Sequence, residues 1–175
     1  LATASEQPPA IFSVHEGLAM AAAYQGKFAQ AEPHFQACLA EARAAGMGPE
    51  TCNTLQNLST IKIYQAQLPE AEALLQEALE LARMIDYQAL IGTLLSNLAS
   101  VETRLGKWVE ARSHLTAALA AARTSGNTTD QINILSNLSA TEIELGEYAA
   151  AEQHLAEALA ATEKLGNNEA IIRAL

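Results

Sequence analysis

The 175-residue chain is poor in cysteine, proline and aromatic residues. It contains two Cys, five Pro and nine Gly residues, and aromatic residues make up 5% of the sequence. Two cysteines are too few for a disulfide scaffold and are typical of a reducing compartment, so we expect a cytoplasmic protein. Because 50% of the residues are apolar and few are Pro or Gly, neither a disordered chain nor a β-sandwich is favoured.

Basic residues are also scarce. Ten Lys and Arg residues stand against 20 Asp and Glu residues, which gives a formal net charge of −10. Since nucleic-acid affinity comes largely from cations that neutralise phosphates, we expect no DNA or RNA binding through this segment. No apolar run approaches the length of about 18 residues that crosses a membrane, and no signal-peptide pattern opens the chain. A membrane partner is therefore not expected.

Ala and Leu are abundant, and both favour helices. They recur with a 40-residue period, because the sequence superimposes on itself without insertion when it is shifted by that length. Three columns of the repeat hold one residue type throughout: Leu18, Leu58, Leu98 and Leu138; Leu39, Leu79, Leu119 and Leu159; and Ala31, Ala71, Ala111 and Ala151.

Each period reads as two helices. In the third period, apolar residues from Leu94 to Leu105 recur at spacings of three or four, and a second such run follows Trp108. Two columns of mainly small residues mark the ends of the helices, and Gly126 in one of them is suited to the left-handed conformation that ends a helix. These columns are Gly26, Ala66, Gly106 and Gly146, and Gly46, Asp86, Gly126 and Gly166.

The period divides the chain into a lead-in, four repeats and a remainder. Residues 1–10 match no repeat and contain Pro8-Pro9, which predicts a linker. Residues 169–175 begin a fifth repeat, which predicts a truncated ninth helix. Residues 11–168 hold the four repeats, at about 11–50, 51–90, 91–130 and 131–168.

Three motifs recur in register. They are Asn-Leu-(Ala/Ser) at 97–99 and 137–139, Leu-Gly-x-aromatic at 105–108 and 145–148, and the run from Ala111 to Leu119 with its counterpart from Ala151. In these motifs the chain resembles the tetratricopeptide repeat in its 40-residue form, similar to repeats of kinesin light chains, G-protein-signalling adaptors and bacterial regulator sensor arms. The resemblance implies an all-α, right-handed α-solenoid of four helix-turn-helix repeats plus a truncated C-terminal helix, with the first helix of each repeat lining a concave groove.

A column of asparagines lies on the first helices. Amides both donate and accept hydrogen bonds, so a ladder of them can pair with an extended peptide backbone. The alternative is that each Asn caps or braces a neighbouring helix. The predicted peptide-binding residues are Asn57, Asn97, Asn137, Asn53, Thr93, Asn133, Ser96, Ser100 and Arg104.

Catalytic and metal sites are not favoured. The chain has no phosphate-cradling Gly loop, no G-x-S-x-G and no H-E-x-x-H, so we expect neither an enzyme nor a cofactor. The column of His34, His114 and His154 is expected to pack or to be solvated, because stacked helices about 8–10 Å apart hold imidazoles too far apart for one metal. Glu142 and Glu144 point to different sides of a helix and are expected to be solvated.

These observations predict a non-catalytic scaffold that binds a protein or peptide segment in the groove. Two other roles stay open: a regulatory arm that controls an ATPase or DNA-binding domain of a larger regulator, and an accessory domain of an enzyme. Leu155 and Leu159 have no following repeat to cover them, so we also expect weak self-association at the C-terminal end.

Overall fold

A computed structural model describes the backbone of residues 10–174 and the side chains of residues 10–166. Across this range the chain forms eight helices and no strand. Nearly all of the predicted lead-in and the side chains of the predicted fifth repeat lie outside the described residues; Ala10 already belongs to the first helix. The helices are α1 (Ala10–Tyr24), α2 (Phe28–Ala44), α3 (Gly48–Tyr64), α4 (Leu68–Met84), α5 (Gln88–Arg104), α6 (Trp108–Ser125), α7 (Thr128–Glu144) and α8 (Tyr148–Ala174).

The helices belong to two compact units. Unit 1 extends to Tyr87 and contains α1–α4, whereas unit 2 begins at Gln88 and contains α5–α8. In unit 1, α1 packs on α2, α2 on α3 and α3 on α4; in unit 2, α5 packs on α6, α6 on α7 and α7 on α8. The predicted all-α class with consecutive helix-turn-helix repeats is therefore confirmed.

The left-handed conformation predicted at Gly126 is present, and the other positions of the two columns up to Gly146 share it. Gly106 has φ 75° and Gly126 has φ 70°, and Ala66 and Asp86 hold the same region at φ 61° and 56°. The backbone then closes each turn, as where the Gln67 N–H donates to the Lys62 carbonyl oxygen over 2.9 Å. Residues other than Gly adopt the left-handed conformation at a cost of roughly 1–2 kcal/mol. The turns at Ala66 and Asp86 therefore keep the same geometry although these residues disfavour it.

The eighth helix differs from the prediction. A turn was expected at Gly166, followed by a ninth helix, but α8 continues from Tyr148 to Ala174. Gly166 is not among the residues with positive φ, in contrast to Gly126 at the end of α6. Because no left-handed residue interrupts the backbone there, the helical hydrogen-bond ladder continues.

Small residues on the second helices allow close packing. The Ala31 and Ala71 side chains are fully buried, and Ala111 and Ala151 are buried in the same way. A side chain no larger than a methyl group lets neighbouring helix backbones approach. A second such column consists of Cys38, Ala78, Ala118 and Ala158, all buried.

Candidate functional site

The larger cavity of unit 2 lies between α5 and α7 and has a volume of about 330 Å³. Its floor is made by small residues of α5 and α6: a Cβ built on Gly92 would lie 3.4 Å from the Ala121 Cβ. The walls carry amides and hydroxyls from both first helices. The predicted site residues in this cavity are Thr93, Ser96, Asn97, Asn133 and Asn137.

A second cavity of unit 2, of about 150 Å³, brings together the remaining predicted residues of that unit. Ser100 and Arg104 line it from α5, and Asn137 lines it from α7. Because Asn137 borders both cavities, seven of the nine predicted residues lie along one surface between α5 and α7. We call this surface the polar groove.

The other two predicted residues lie in unit 1. Asn57 borders a cavity of about 230 Å³ that is lined from α1, α2 and α3. Asn53, one turn earlier on α3, is half-buried. The other lining residues of this cavity were not predicted as a site: Met20, Ala23, Tyr24, Phe28, Phe35, Thr60, Ile61 and Tyr64. The sequence did contain a signal for this cavity. Tyr24 and Tyr64 share one repeat column, and that column holds the charged residues Arg104 and Glu144 in unit 2.

The environment of Asn57, Asn97 and Asn137 helps to distinguish the two roles considered for them, binding a peptide backbone and bracing a neighbouring helix. Asn57 and Asn97 are half-buried and Asn137 is exposed. Within the described part of the chain, none of the three side-chain amides donates or accepts a hydrogen bond; Asn137 contributes only its backbone oxygen, to the Thr141 hydroxyl at 2.9 Å. A bracing role would require such bonds, so their donors and acceptors are available to water or to a ligand.

Two buried glutamates of unit 2 pair with histidines. Glu102 is 2% exposed and its Oε2 lies 2.8 Å from His114 Nδ1, and Glu142 is 3% exposed with its Oε2 2.9 Å from His154 Nδ1. The expectation that Glu142 is solvated was wrong. Its position packs toward the second helix of the hairpin, where His154 supplies the hydrogen-bond partner that makes a buried carboxylate tolerable.

The sequence contained a signal for these pairs. In both repeats of unit 2, a Glu on the first helix of the hairpin precedes a His on the second helix by the same interval. The shared interval becomes visible only when the glutamate column and the histidine column are compared with each other. Among the described residues, no hydroxyl or thiol hydrogen-bonds to the His114 or His154 ring, so the pairs resemble a carboxylate–imidazole dyad without an adjacent nucleophile.

In unit 1, the columns of these glutamates and histidines hold Lys62 and His34, which have different polar partners. Lys62 Nζ donates to Glu32 Oε1 over 2.6 Å, and the Gln65 amide donates to Glu32 Oε2 over 2.9 Å. The hydrogen bond from Lys62 holds the pKa of the Glu32 carboxyl below its usual value. His34 lies with its Nδ1 3.0 Å from that of His15. Thus the Lys62–Glu32 pair of unit 1 joins neighbouring repeats, whereas the Glu–His pairs of unit 2 each lie within one repeat.

The cysteines are free, buried thiols. Burial raises the pKa of Cys38 to about 11 and also raises that of Cys52. The thiol, not the nucleophilic thiolate, is therefore the form that Cys38 holds at neutral pH. No group of three or more His, Cys, Asp or Glu side chains suited to a metal occurs among the described residues. Over that same range, no helix combines the length and apolar character needed to span a membrane.

The comparisons with known proteins agree with the repeat geometry. The tetratricopeptide-repeat family model matches residues 10–84 and again residues 90–164, which together cover most of the chain. The chain belongs to the tetratricopeptide-repeat family. No curated protein sequence matches it significantly.

Solved structures of other proteins superimpose on the chain at low identity. The apo form of RapI has a TM-score of 0.86 at 15% identity over 97% of this chain and 62% of RapI. A Rap protein in complex with competence and sporulation factor has a TM-score of 0.72 at 18% identity, over 90% of this chain and 44% of that protein.

A third solved structure is the signal transduction ATPase PH0952 from Pyrococcus horikoshii, which has a tetratricopeptide repeat sensor. It has a TM-score of 0.78 at 16% identity, over 90% of this chain and 25% of that protein. The chain thus spans less than two thirds of each of these three proteins. Likeness at this level of identity shows the fold.

Proposed function

We propose that the polar groove binds an extended protein or peptide segment without catalysing a reaction. The observation that carries this proposal is the gathering of seven predicted polar residues on one surface, with Asn97 and Asn137 facing one cavity from α5 and α7. Their free amides match the alternating N–H and C=O groups of an extended backbone.

The groove floor supports the same proposal. Gly92, Ala118, Ala121 and Ala122 leave the space between the polar walls open, so side chains of a bound segment can enter the cavity. Charged groups are few: Asp130 borders the larger cavity and Arg104 the smaller one. Asp130 accepts a hydrogen bond from the Asn127 side chain at 2.7 Å. Hydrogen bonds rather than net charge would therefore provide most of the affinity, and binding should depend only mildly on salt.

The comparisons support a protein ligand in a regulatory setting. A Rap protein binds competence and sporulation factor, and in PH0952 a tetratricopeptide repeat sensor belongs to a signal transduction ATPase. The second candidate function is therefore a regulatory arm of a larger protein, in which the polar groove holds a segment of the same protein until an effector arrives. We also propose a cytoplasmic location, because two cysteines in 175 residues are typical of a protein of a reducing compartment.

The test starts from short linear peptides selected on the purified chain from a displayed library. Each net hydrogen bond contributes about 0.5–1.5 kcal/mol, so Asn97→Ala should weaken a selected peptide by roughly two- to twelve-fold, measured by calorimetry. Gln153→Ala, an exposed polar residue of α8 outside the groove, is the matched control and should leave affinity unchanged.

A bracing role predicts the opposite order of effects. In that case Asn97→Ala would lower the melting temperature while affinity followed only through loss of folded protein. Peptides whose affinity is unaffected by both Asn97→Ala and Asn137→Ala would remove the polar groove as the binding site.

We also propose weak self-association through α8. Leu155 and Leu159 are large apolar side chains that lie exposed on this helix. Exposed apolar area of this kind favours association.

A further inference from the structure

One cavity of unit 1 contains half of the aromatic residues of the chain. It has a volume of about 230 Å³ and is lined from α1, α2 and α3. Its aromatic residues are Tyr24, Phe28, Phe35 and Tyr64, out of three Phe, four Tyr and one Trp in the sequence. We call it the aromatic cavity.

The rings extend from the core to the solvent. Phe35 is 2% exposed and forms the floor, and Phe28 stacks on Tyr64 with ring centroids 4.4 Å apart and planes inclined by 7°. At the rim, Tyr64 is 66% exposed and Tyr24 is 84% exposed. Exposed aromatic rings beside a cavity offer π faces with negative electrostatic potential to a bound group.

The lining of the cavity sets no charge against a cation. All nine lining residues are uncharged, and the whole chain carries a net charge of −10. The nearest lysines along the chain are Lys62, whose Nζ bonds to Glu32 at 2.6 Å and to Gln67 at 3.0 Å, and Lys27, whose Nζ bonds to Gln25 at 2.7 Å. The charge of Lys62 is thus compensated by Glu32, and a cation entering the cavity would meet no cationic lining residue.

Hydrogen-bond acceptors stand on the α3 side of the cavity. The Thr60 hydroxyl donates to the Gln56 carbonyl oxygen at 3.2 Å, so its oxygen lone pairs can still accept from a ligand. Asn57 lines the same side, and its side-chain amide has no hydrogen-bond partner among the described residues. A purely apolar ligand would leave both oxygens without a donor.

We propose that the aromatic cavity binds an arginine side chain of the partner segment. This inference rests on the proposed function, since it takes the ligand of the chain to be a protein or peptide segment. A guanidinium is planar, stacks on aromatic faces and directs several N–H donors in its own plane, here toward Asn57 and Thr60. A lysine ammonium is more strongly hydrated and cannot stack, so arginine fits the combination of rings and acceptors better.

The test uses N-acetyl-argininamide as the probe and amide chemical shifts in α1 and α3 as the readout. The matched probes are the citrulline analogue, which has the same shape without charge, and the norleucine analogue, which is apolar. We expect the arginine probe to bind roughly two- to five-fold more tightly than the citrulline probe, as an exposed cation–π contact implies. Equal binding of the citrulline or norleucine probe would overturn the proposal.

Substitutions of tyrosine test whether the arginine probe binds at the aromatic cavity. Tyr64→Leu keeps an apolar side chain at an exposed position and should reduce binding of the arginine probe by a similar factor. Tyr148→Leu changes an equally exposed tyrosine in unit 2 and should have no effect. If Tyr64→Leu impairs folding, Tyr24→Leu takes its place. Unchanged binding in a folded variant would contradict the proposal.

Failure here can be distinguished from failure of the proposed function. A selected peptide that is weakened by Asn97→Ala, while the arginine probe shifts no amide of unit 1, would refute only the arginine site.

Discussion

Two cavities occupy equivalent positions of the repeat, one in each unit, and their linings differ in chemistry. Several residues that line the aromatic cavity have counterparts, two repeats further along the chain, that line the smaller cavity of unit 2. The aromatic cavity has a volume of about 230 Å³ and its counterpart one of about 150 Å³. Asn57 becomes Asn137, but other lining residues change their character. These changes are Met20 to Ser100, Tyr24 to Arg104, Phe35 to Leu115 and Thr60 to Ala140.

The comparison separates two kinds of residue in one scaffold. The shared asparagine suits a contact that is independent of ligand side chains, because an amide pairs with any peptide backbone. The variable positions suit selection among side chains, because aromatic rings and a guanidinium attract different groups. The left-handed turn residues Gly26, Gly46 and Ala66 of unit 1 have equivalents at Gly106, Gly126 and Gly146 in unit 2, so the specificities of the units can differ without a change in these turns.

The units also differ in how they bury polar groups. Unit 1 pairs Lys62 with Glu32, and unit 2 pairs Glu142 with His154. The glutamate of unit 2 is 3% exposed, whereas the Lys62 and Glu32 side chains are 17% and 19% exposed. Loss of a partner should therefore cost more in unit 2.

The largest expected effect is that of His154→Ala. This change leaves the buried Glu142 carboxylate without its imidazole partner and should destabilise unit 2 by about 3 kcal/mol. Hydrogen exchange of α7 and α8 amides measures the loss within that unit. Glu142→Leu combined with His154→Leu replaces the pair by apolar side chains and should recover most of the stability. Equal losses in the single and double variants would show that the pair contributes only packing.

A smaller effect is expected for Lys62→Met in unit 1. Both partners are partly solvated, so loss of the ion pair should lower the free energy of unfolding by about 1 kcal/mol. The Glu32 pKa is lowered in the folded state, so this contribution is present above the unfolded pKa of about 4.3 and is lost as pH falls through the folded value.

The effect of Lys62→Met on stability should depend on pH. The difference in stability between the parent chain and Lys62→Met should be constant near neutral pH, should begin to fall near the unfolded pKa of about 4.3, and should vanish only below the lowered folded pKa of Glu32. Denaturant unfolding followed at a series of pH values measures it. A difference that persists at low pH would mean that the lysine methylenes, not the ion pair, stabilise unit 1.

Much of the fold could be predicted because the sequence period repeats both the apolar faces and the turn residues. The period placed the turns at Gly26, Gly46, Ala66, Asp86, Gly106, Gly126 and Gly146, which all have positive φ. The Glu142–His154 pair escaped prediction because periodicity reports which positions are equivalent, not which side chains meet across a hairpin. The aromatic cavity escaped for a related reason, since its rings come from three helices that only the folded hairpins bring together.

The smallest effect should be found where the units are most alike. Arg43 pairs with Glu77 in unit 1, and two repeats further along the chain Arg123 pairs with Glu157 at 2.6 Å in unit 2. All four side chains are about half exposed, so water and salt screen each pair. Arg43→Ala and Arg123→Ala should each change the free energy of unfolding by less than about 0.5 kcal/mol, measured by denaturant unfolding at low and high salt. A loss above about 1 kcal/mol in one unit only would show that surface positions with equivalent geometry do not contribute equally to stability.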